Sequence, residues 1–230
     1  MKQKLAVITG ISSGIGAAIG QCLEGAGWKV VGLDLKPTER FRTYVTDVTD
    51  YSSVSAAVRA IESEHGDIGL TVAAAGFWAG TDPFVVDTQT WQRLAGVYLA
   101  GAANVAKATV PAMQAKGSGQ VVFITTDLAL NGNPDDIYYV TAKGTVIGLM
   151  RGLAAELEGS GVTVNSVAPG ATDTPILPPD SIWRSHEKLV SLPLPRLIAP
   201  SEIAESVLFL SEAGPAMNGQ IISPNAGQAR

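Results

Sequence analysis

Tyr139 and Lys143 stand four positions apart in the stretch YYVTAK, which has the pattern of a helix. Residues at i and i+4 share one helical face, so a phenol and an ammonium group would lie one turn apart. A phenol has an ordinary pKa near ~10, and a nearby cation favours the phenolate, so the pair is suited to acid–base chemistry near neutral pH. The alternative is a packed Tyr beside a solvated Lys, because this spacing is common on helices.

Alternating strand and helix patterns supply the elements that would position this pair. Continuous apolar runs rich in β-branched residues predict strands buried on both faces, at 5–9, 29–33, 42–45, 70–73, 120–125, 163–167 and 220–223. Helical patterns lie at about 14–26, 51–65, 88–115, 137–158 and 201–211. The connection after the second strand is too short for a helix. Repeated β-α-β units predict an α/β fold, a doubly wound, Rossmann-like parallel sheet of about seven strands in a single domain over 1–230.

Composition excludes several classes of protein. Hydrophobic residues make up 46% of the 230 and charged residues 16%, which favours a well-buried core over disorder. The net charge of −5 gives no basic surface for nucleic acid, and no apolar run reaches the roughly 18 residues of a membrane span. Cys22 stands alone, and His65 and His186 are isolated. We therefore expect no disulfides, no metal site and a reducing, cytoplasmic location.

A glycine-rich turn, TGISSGIG at 9–16, directly follows the first strand and opens the first helix. Gly10, Gly14 and Gly16 permit a tight turn and a close approach of the backbone to a pyrophosphate, and the helix N-terminus offers N–H groups. The spacing is G-x-x-x-G-x-G rather than the commonest G-x-G-x-x-G. A turn without a ligand is the alternative, but the strand before it and the helix after it favour a dinucleotide site.

Asp34 ends the second strand, where an acid can accept hydrogen bonds from the adenosine ribose hydroxyls and repels a 2′-phosphate. No Arg follows it, and only Lys36 would soften this preference, so we expect NAD rather than NADP. Asp47 and Val48 follow the third strand and would lie near the adenine. Capping of the local turn is the alternative role of Asp47.

The chain resembles the short-chain dehydrogenase/reductase family over essentially its whole length. The matching segments come in the family's order: TGISSGIG, Asp47–Val48, Ala75–Gly76, Tyr139 with Lys143, Asn165, Pro169–Gly170, and residues 195–210 as the last helix and its approach. The resemblance implies an oxidoreductase that transfers a hydride between a nicotinamide and a secondary alcohol or ketone. Tyr139 would be the acid/base, and Lys143 would lower the pKa of Tyr139 and donate to the nicotinamide ribose.

The resemblance also implies the residues that hold the cofactor. They are Gly10, Ser12, Ser13, Gly14, Ile15, Gly16, Asp34, Asp47, Val48, Ala75, Gly76, Tyr139, Lys143, Pro169, Gly170, Thr172 and Thr174. Thr174 falls where the family places a hydroxyl on the nicotinamide carboxamide. A homodimer or homotetramer built on the helices at 88–115 and 137–158 is implied as well, although the small residues of these helices could equally pack within one subunit.

Several positions depart from the family pattern. Thr126 stands where the family has its catalytic Ser, thirteen residues before the Tyr, and it keeps the hydroxyl that can bind the substrate oxygen. Tyr98 stands in place of the catalytic Asn. The strand motif Asn-Asn-Ala-Gly is Ala-Ala-Ala-Gly at 73–76, and Asp-Gly-Gly is Asn-Ala-Gly at 225–227. These departures keep a second function open, that of a non-catalytic NAD-binding sensor or structural subunit.

The substrate pocket is expected to be apolar. Its candidate lining residues are Phe77, Trp78, Leu128, Tyr138, Leu177 and Trp183, with Asp127 and Asp135 as polar groups. This set favours a small-molecule secondary alcohol or ketone, including cyclic ones, and a dihydrodiol of a ring acid is the second possibility. No cation in the set would hold a carboxylate, which leaves Arg184 and Arg196 as candidates. The Pro-rich stretch 175–200 is predicted to be a substrate lid.

Overall fold

The computed structural model describes residues 4–79, 87–134 and 136–228. Within them, seven parallel strands form one sheet in the order β3-β2-β1-β4-β5-β6-β7. The strands are β1 (Leu5–Thr9), β2 (Lys29–Asp34), β3 (Arg42–Val45), β4 (Ile68–Ala73), β5 (Gly119–Ile124), β6 (Val162–Val167) and β7 (Ile221–Ile222). The strand order reverses between β1 and β4, and the carboxyl ends at such a switch point form a crevice for ligands.

Helices cover both faces of the sheet. They are α1 (Gly14–Gly25), α2 (Tyr51–His65), α3 (Thr88–Ala95), α4 (Gly101–Lys116), α5 (Leu128–Asn131), α6 (Ile137–Glu156), α7 (His186–Val190) and α8 (Pro200–Glu212). One buried apolar cluster joins the sheet to α2, α4 and α6, and another joins it to α1 and α8. Val7 belongs to the first cluster, while Ala6 and Ile8 belong to the second, because successive strand residues face opposite sides.

The predicted α/β, Rossmann-like parallel sheet is confirmed, with every predicted strand present. The largest shift of a strand boundary is at β4, which begins at Ile68 rather than at residue 70. No helix occupies the described connection between β2 and β3, as expected from its length. The helices within the described ranges include none that is long and apolar enough to cross a membrane.

The helix predicted over 88–115 is present, but it is not α-helical throughout. A π-helical segment, Gly96–Ala100, separates α3 from α4. A π turn holds more residues than an α turn, so it changes which side chains face the sheet after it. Tyr98 lies in this segment and is only 3% exposed. The π-helical segment therefore carries a large polar side chain that is buried in the protein and lines the cleft at the carboxyl ends of the strands.

Candidate functional site

A cleft of about 630 Å³ lies at the carboxyl ends of the strands. Its walls come from the segments that follow β1, β2, β3, β4, β5 and β6 and from α6. Every residue predicted above to bind the cofactor or to take part in catalysis lines this one cleft. Their individual roles stay predictions, but residues far apart in the chain are brought together.

The turn at one end of the cleft requires glycine. Gly10 has φ +70°, and a Cβ atom there would lie 2.8 Å from the Cα atom of Ala75. Gly14 has φ +55° and packs against Thr174. The following helix, α1, has Ser13 at its N-cap with no side-chain hydrogen bond and no acidic residue in its first turn. Its first N–H groups are thus left to an anion such as a pyrophosphate, and the turn fits a dinucleotide.

Asp34 is held at the wall of the same end. Its Oδ2 atom accepts the N–H of Ser12 at 2.9 Å, and its Oδ1 atom accepts the N–H of Lys36 at 3.2 Å. A carboxylate has further lone pairs, so Asp34 can also accept ribose hydroxyls. Asp47 lines the cleft too, but its Oδ1 atom accepts both the N–H and the hydroxyl of Thr49, at 2.9 and 2.7 Å. It therefore fills the local capping role given above as its alternative.

The segment after β4 is braced by a residue that the motifs did not single out. The hydroxyl of Thr9 accepts the N–H groups of Ala74 and Ala75, at 3.0 and 2.9 Å. This side chain is buried at the end of β1. A hydroxyl on the neighbouring strand thus holds the Ala-Ala-Ala-Gly segment, in which the family's amides are missing.

The candidate acid/base, Tyr139, lies half-buried at the other end of the cleft. Burial first, and then the carboxylates of Asp136 and Asp127, raise the pKa of Tyr139 above its ordinary value. The hydroxyls of Thr126 and Tyr98 interact with the phenol and lower its pKa, but by less. Tyr139 therefore keeps its proton at neutral pH, which is the form that can donate to a carbonyl oxygen.

Lys143 is buried on the same helix as Tyr139, one turn further along the chain. Its Nζ atom donates to the carbonyl oxygen of Ile124 at 2.7 Å and lies 5.9 Å from the centre of the Tyr139 ring. Burial lowers the pKa of Lys143 to about 7. That Lys143 lowers the pKa of Tyr139 stays a prediction, and burial is the largest influence on the phenol in this arrangement.

The predicted pocket residues mostly line the substrate end of the cleft. Those found there are Phe77, Trp78, Leu128, Leu177, Trp183 and Asp127, and Asp135 lies outside the described residues. Tyr138 is absent from the described lining, and its ring packs edge-to-face on Trp91 at 5.7 Å. The indole Nε1 of Trp78 donates to Asp136 at 2.8 Å. This end is therefore largely aromatic, with carboxylates close to the candidate acid/base.

Arg184 and Arg196 are not free to hold a substrate carboxylate, which corrects the prediction above. The guanidinium of Arg184 pairs with Asp173 at 2.7 Å and also donates to the backbone carbonyls of Thr174 and Leu177. Arg196 makes two hydrogen bonds to Glu202, of 2.7 and 2.9 Å. Arg184 instead ties the start of the Pro-rich stretch to the segment that follows β6.

Sequence reasoning missed several residues at the substrate end. These are Arg93, Val97, Ile176 and Gln228. The guanidinium of Arg93 lies over the ring of Phe77, 4.9 Å from its centre. The sequence signal that could have grouped Arg93 with Val97 is their helical spacing, since residues at i and i+4 share a face. No sequence pattern indicated Gln228, because its place in the cleft depends on the path of the chain after β7.

Several known proteins are similar to this chain along nearly its full length. A family model described as Enoyl-(Acyl carrier protein) reductase matches residues 10–228. Cis-4-hydroxycyclohexanecarboxylate dehydrogenase from Sinomonas cyclohexanicum is 34% identical, covering 98% of this chain and 96% of that protein. 3-Oxoacyl-(acyl-carrier-protein) reductase FabG from Thermotoga maritima is 30% identical, covering 99% and 98%. The ligand-free structure of Thermoplasma acidophilum aldohexose dehydrogenase has a TM-score of 0.90 and 27% identity, covering 98% of this chain and 94% of the other.

Proposed function

The chain belongs to the short-chain dehydrogenase/reductase family, oxidoreductases of alcohol and carbonyl groups, and we propose that it uses NAD to interconvert a secondary alcohol and a ketone. The observation that carries this proposal is the meeting of Tyr139, Thr126 and Lys143 at one end of a cleft. The other end offers an uncapped helix N-terminus and the carboxylate of Asp34. Two ends of this kind suit a dinucleotide whose reactive ring lies beside the acid/base.

Tyr139 moves the proton of the reaction. In reduction its phenol donates to the carbonyl oxygen, and in oxidation its phenolate removes the proton of the alcohol. Thr126 holds the same oxygen with its hydroxyl, and Lys143 supplies positive charge and a donor to the nicotinamide ribose. The nicotinamide, when bound, supplies the hydride chemistry that side chains lack. Because burial raises the pKa of Tyr139, its phenol form is the one present at neutral pH, and this form can donate to a ketone oxygen.

NAD rather than NADP is the proposed cofactor because of the charge at Asp34. A carboxylate at the end of β2 accepts the ribose hydroxyls of NAD and repels the 2′-phosphate of NADP. The N–H groups of Ser12 and Lys36 already hold this carboxylate at the cleft wall. The Lys36 side chain is exposed, so its partial neutralisation of the phosphate is screened by solvent.

The proposed substrate is a cyclic secondary alcohol that carries a carboxylate, or the matching ketone. The apolar wall with Phe77 and Trp183 suits a ring. Arg93 is exposed at this wall, and no carboxylate of the described residues is paired with it. The Sinomonas relative is named for a cyclohexane with a hydroxyl and a carboxylate. A dihydrodiol of a ring acid would meet the same groups.

The wider arrangement is part of the proposal. Residues 1–230 form a single domain in which 175–200 act as a lid, since Ile176, Leu177 and Trp183 reach the cleft. Association into a homodimer or homotetramer is supported by α6, where a Cβ atom at Gly144 or Gly148 would meet no described atom within 4 Å. Light scattering that finds a monomer at micromolar concentration would contradict the assembly. The lone thiol of Cys22 suits a reducing cytoplasm.

Turnover of ring alcohols and ketones tests the function directly. Purified protein is assayed by NADH absorbance with cyclohexanols and cyclohexanones, each with and without a carboxylate, and with NADP in place of NAD. We expect the rate of turnover with NAD to be at least tenfold above the rate with NADP. At low substrate concentration, free acids should be turned over faster than their methyl esters. NAD binding without turnover of any compound in either direction would support the sensor alternative instead. Equal rates with both cofactors would contradict the role of Asp34.

A further inference from the structure

The ring of Tyr98 contacts both the ring of Phe77 and the ammonium group of Lys143. Its ring is stacked on Phe77, with centres 6.3 Å apart and planes at 17°. The Lys143 Nζ atom is 4.2 Å from the centre of the Tyr98 ring, within the range of a cation–π contact. The ring of Tyr139 meets Tyr98 edge-on at 5.7 Å. One aromatic side chain thus touches both members of the proposed catalytic pair.

The position of the Tyr98 ring is fixed by the backbone beside it. Its hydroxyl donates to the carbonyl oxygen of Phe77. A Cβ atom on Gly76 would lie 2.6 Å from the Tyr98 hydroxyl oxygen and 2.8 Å from its Cζ atom, so the ring fits only beside a glycine. Tyr98 is the buried residue of the π-helical segment. The hydroxyl of Tyr98 binds the backbone of Phe77, whereas its ring face contacts Lys143.

Lys143 needs a stabiliser for its charge. It is 5% exposed, and no carboxylate of the described residues lies within ion-pair distance of its Nζ atom. An isolated buried ammonium strongly favours its neutral form. The described groups that face it are the Ile124 carbonyl, which accepts one hydrogen bond, and the rings of Tyr98 and Tyr139. The ring face of Tyr98 is the closer of the two.

We propose that Tyr98 is a positioning residue whose ring face keeps Lys143 charged and in place beside Tyr139. This inference rests on the proposed function, in which the Lys143 ammonium serves the acid/base and the nicotinamide ribose. The other titratable groups around the pair are Asp127, ahead of α5, and Asp136, ahead of α6, and both act on Tyr139. They are unchanged in the variants below, so a change in the titration of Lys143 reports on the ring.

The ring and the hydroxyl can be separated by substitution. Tyr98→Phe keeps the ring face and loses the hydroxyl, with its hydrogen bond to Phe77 and its interaction with the Tyr139 phenol. Tyr98→Leu loses the same hydroxyl and the ring face as well. Trp91→Leu is the matched control, because it removes an aromatic residue of α3 that packs on Tyr138 instead. The readout is the pH dependence of NADH affinity, by fluorescence titration, and of ketone reduction. NADH affinity and the rate of ketone reduction should both fall as Lys143 loses its proton. The pH at which each has fallen by half does not change if part of a variant fails to fold.

The expected wild-type midpoint is near pH 7, where burial places the pKa of Lys143. Tyr98→Leu should move it down by about one pH unit, since the cation–π contact that favours the ammonium is gone. Tyr98→Phe and Trp91→Leu should keep the wild-type midpoint. An unchanged midpoint in Tyr98→Leu, or an equal shift in Tyr98→Phe, would overturn the inference. If no ketone is reduced but NADH affinity shifts as described, the proposed function fails and the role of Tyr98 stands.

Discussion

Tyr139→Phe is expected to lower kcat by a factor of about 10²–10⁴ while NADH affinity stays within about twofold. Phe keeps the ring, its packing on Tyr98 and its volume, but it has no proton to give to a carbonyl oxygen. A loss of positioned acid–base catalysis acts on the chemical step alone, so kcat falls without a matching change in binding. Steady-state kinetics on the best ketone of the panel, together with fluorescence titration by NADH, measure both quantities.

Tyr138→Phe is the matched control for that experiment. Tyr138 is the neighbouring residue of α6, but its ring packs on Trp91 away from the described cleft lining. Removal of its hydroxyl should leave kcat within about twofold of the wild type. Tyr139→Phe with wild-type kcat would show that another group handles the proton, and the assignment of Tyr139 would be lost. Equal losses in both variants would point to disturbance of α6 rather than to chemistry.

Lys143→Met is expected to abolish turnover and yet to stabilise the fold at neutral pH. In the folded protein burial lowers the pKa of Lys143 from 10.5 to about 7. The unfolded chain therefore binds this proton more tightly, and keeping Lys143 destabilises the fold by up to ~4 kcal/mol at pH 7. The lost contacts to the Ile124 carbonyl and the Tyr98 ring subtract about half of the gain. A rise in Tm of roughly 4–8 °C remains.

The sign of the pH dependence separates this effect from a general change in packing. Below the folded pKa both states carry the proton, so the destabilisation by Lys143 is complete at pH 6. Between pH 7 and 10.5 only the unfolded chain binds it, so wild-type stability rises with pH and the advantage of Lys143→Met shrinks. Thermal melts at pH 6, 7, 9 and 10 measure the difference. Lys107→Met, at an exposed lysine of α4, should show no such trend.

A Tm difference between Lys143→Met and the wild type that is the same at every pH would contradict the lowered pKa of Lys143. A lower Tm for the variant at pH 6 would contradict it as well, because the contacts of the ammonium would then outweigh its burial. The expected combination, greater stability with lost turnover, is the pattern of a residue held in an unfavourable state for function.

Local chemistry determined most of the scaffold from the sequence. Strands such as β1 are buried on both faces, so their residues are apolar without alternation, and this run can be recognised without any partner. The glycine turn was equally clear, because glycine readily adopts the positive φ that Gly10 and Gly14 have in the structure. The spacing of Tyr139 and Lys143 followed from helical geometry alone.

Tertiary structure alone decided how the candidate site is arranged. Tyr98 lies in a π segment of the helix, and Gly76, in the segment that follows β4, leaves room for its ring. The Lys143 ammonium faces that ring and the carbonyl of Ile124, and burial lowers its pKa. Such contacts join segments far apart in the chain, and helical spacing or strand pattern carries no information about them. The sequence determined which residues could do the chemistry, and packing determined their protonation and their neighbours.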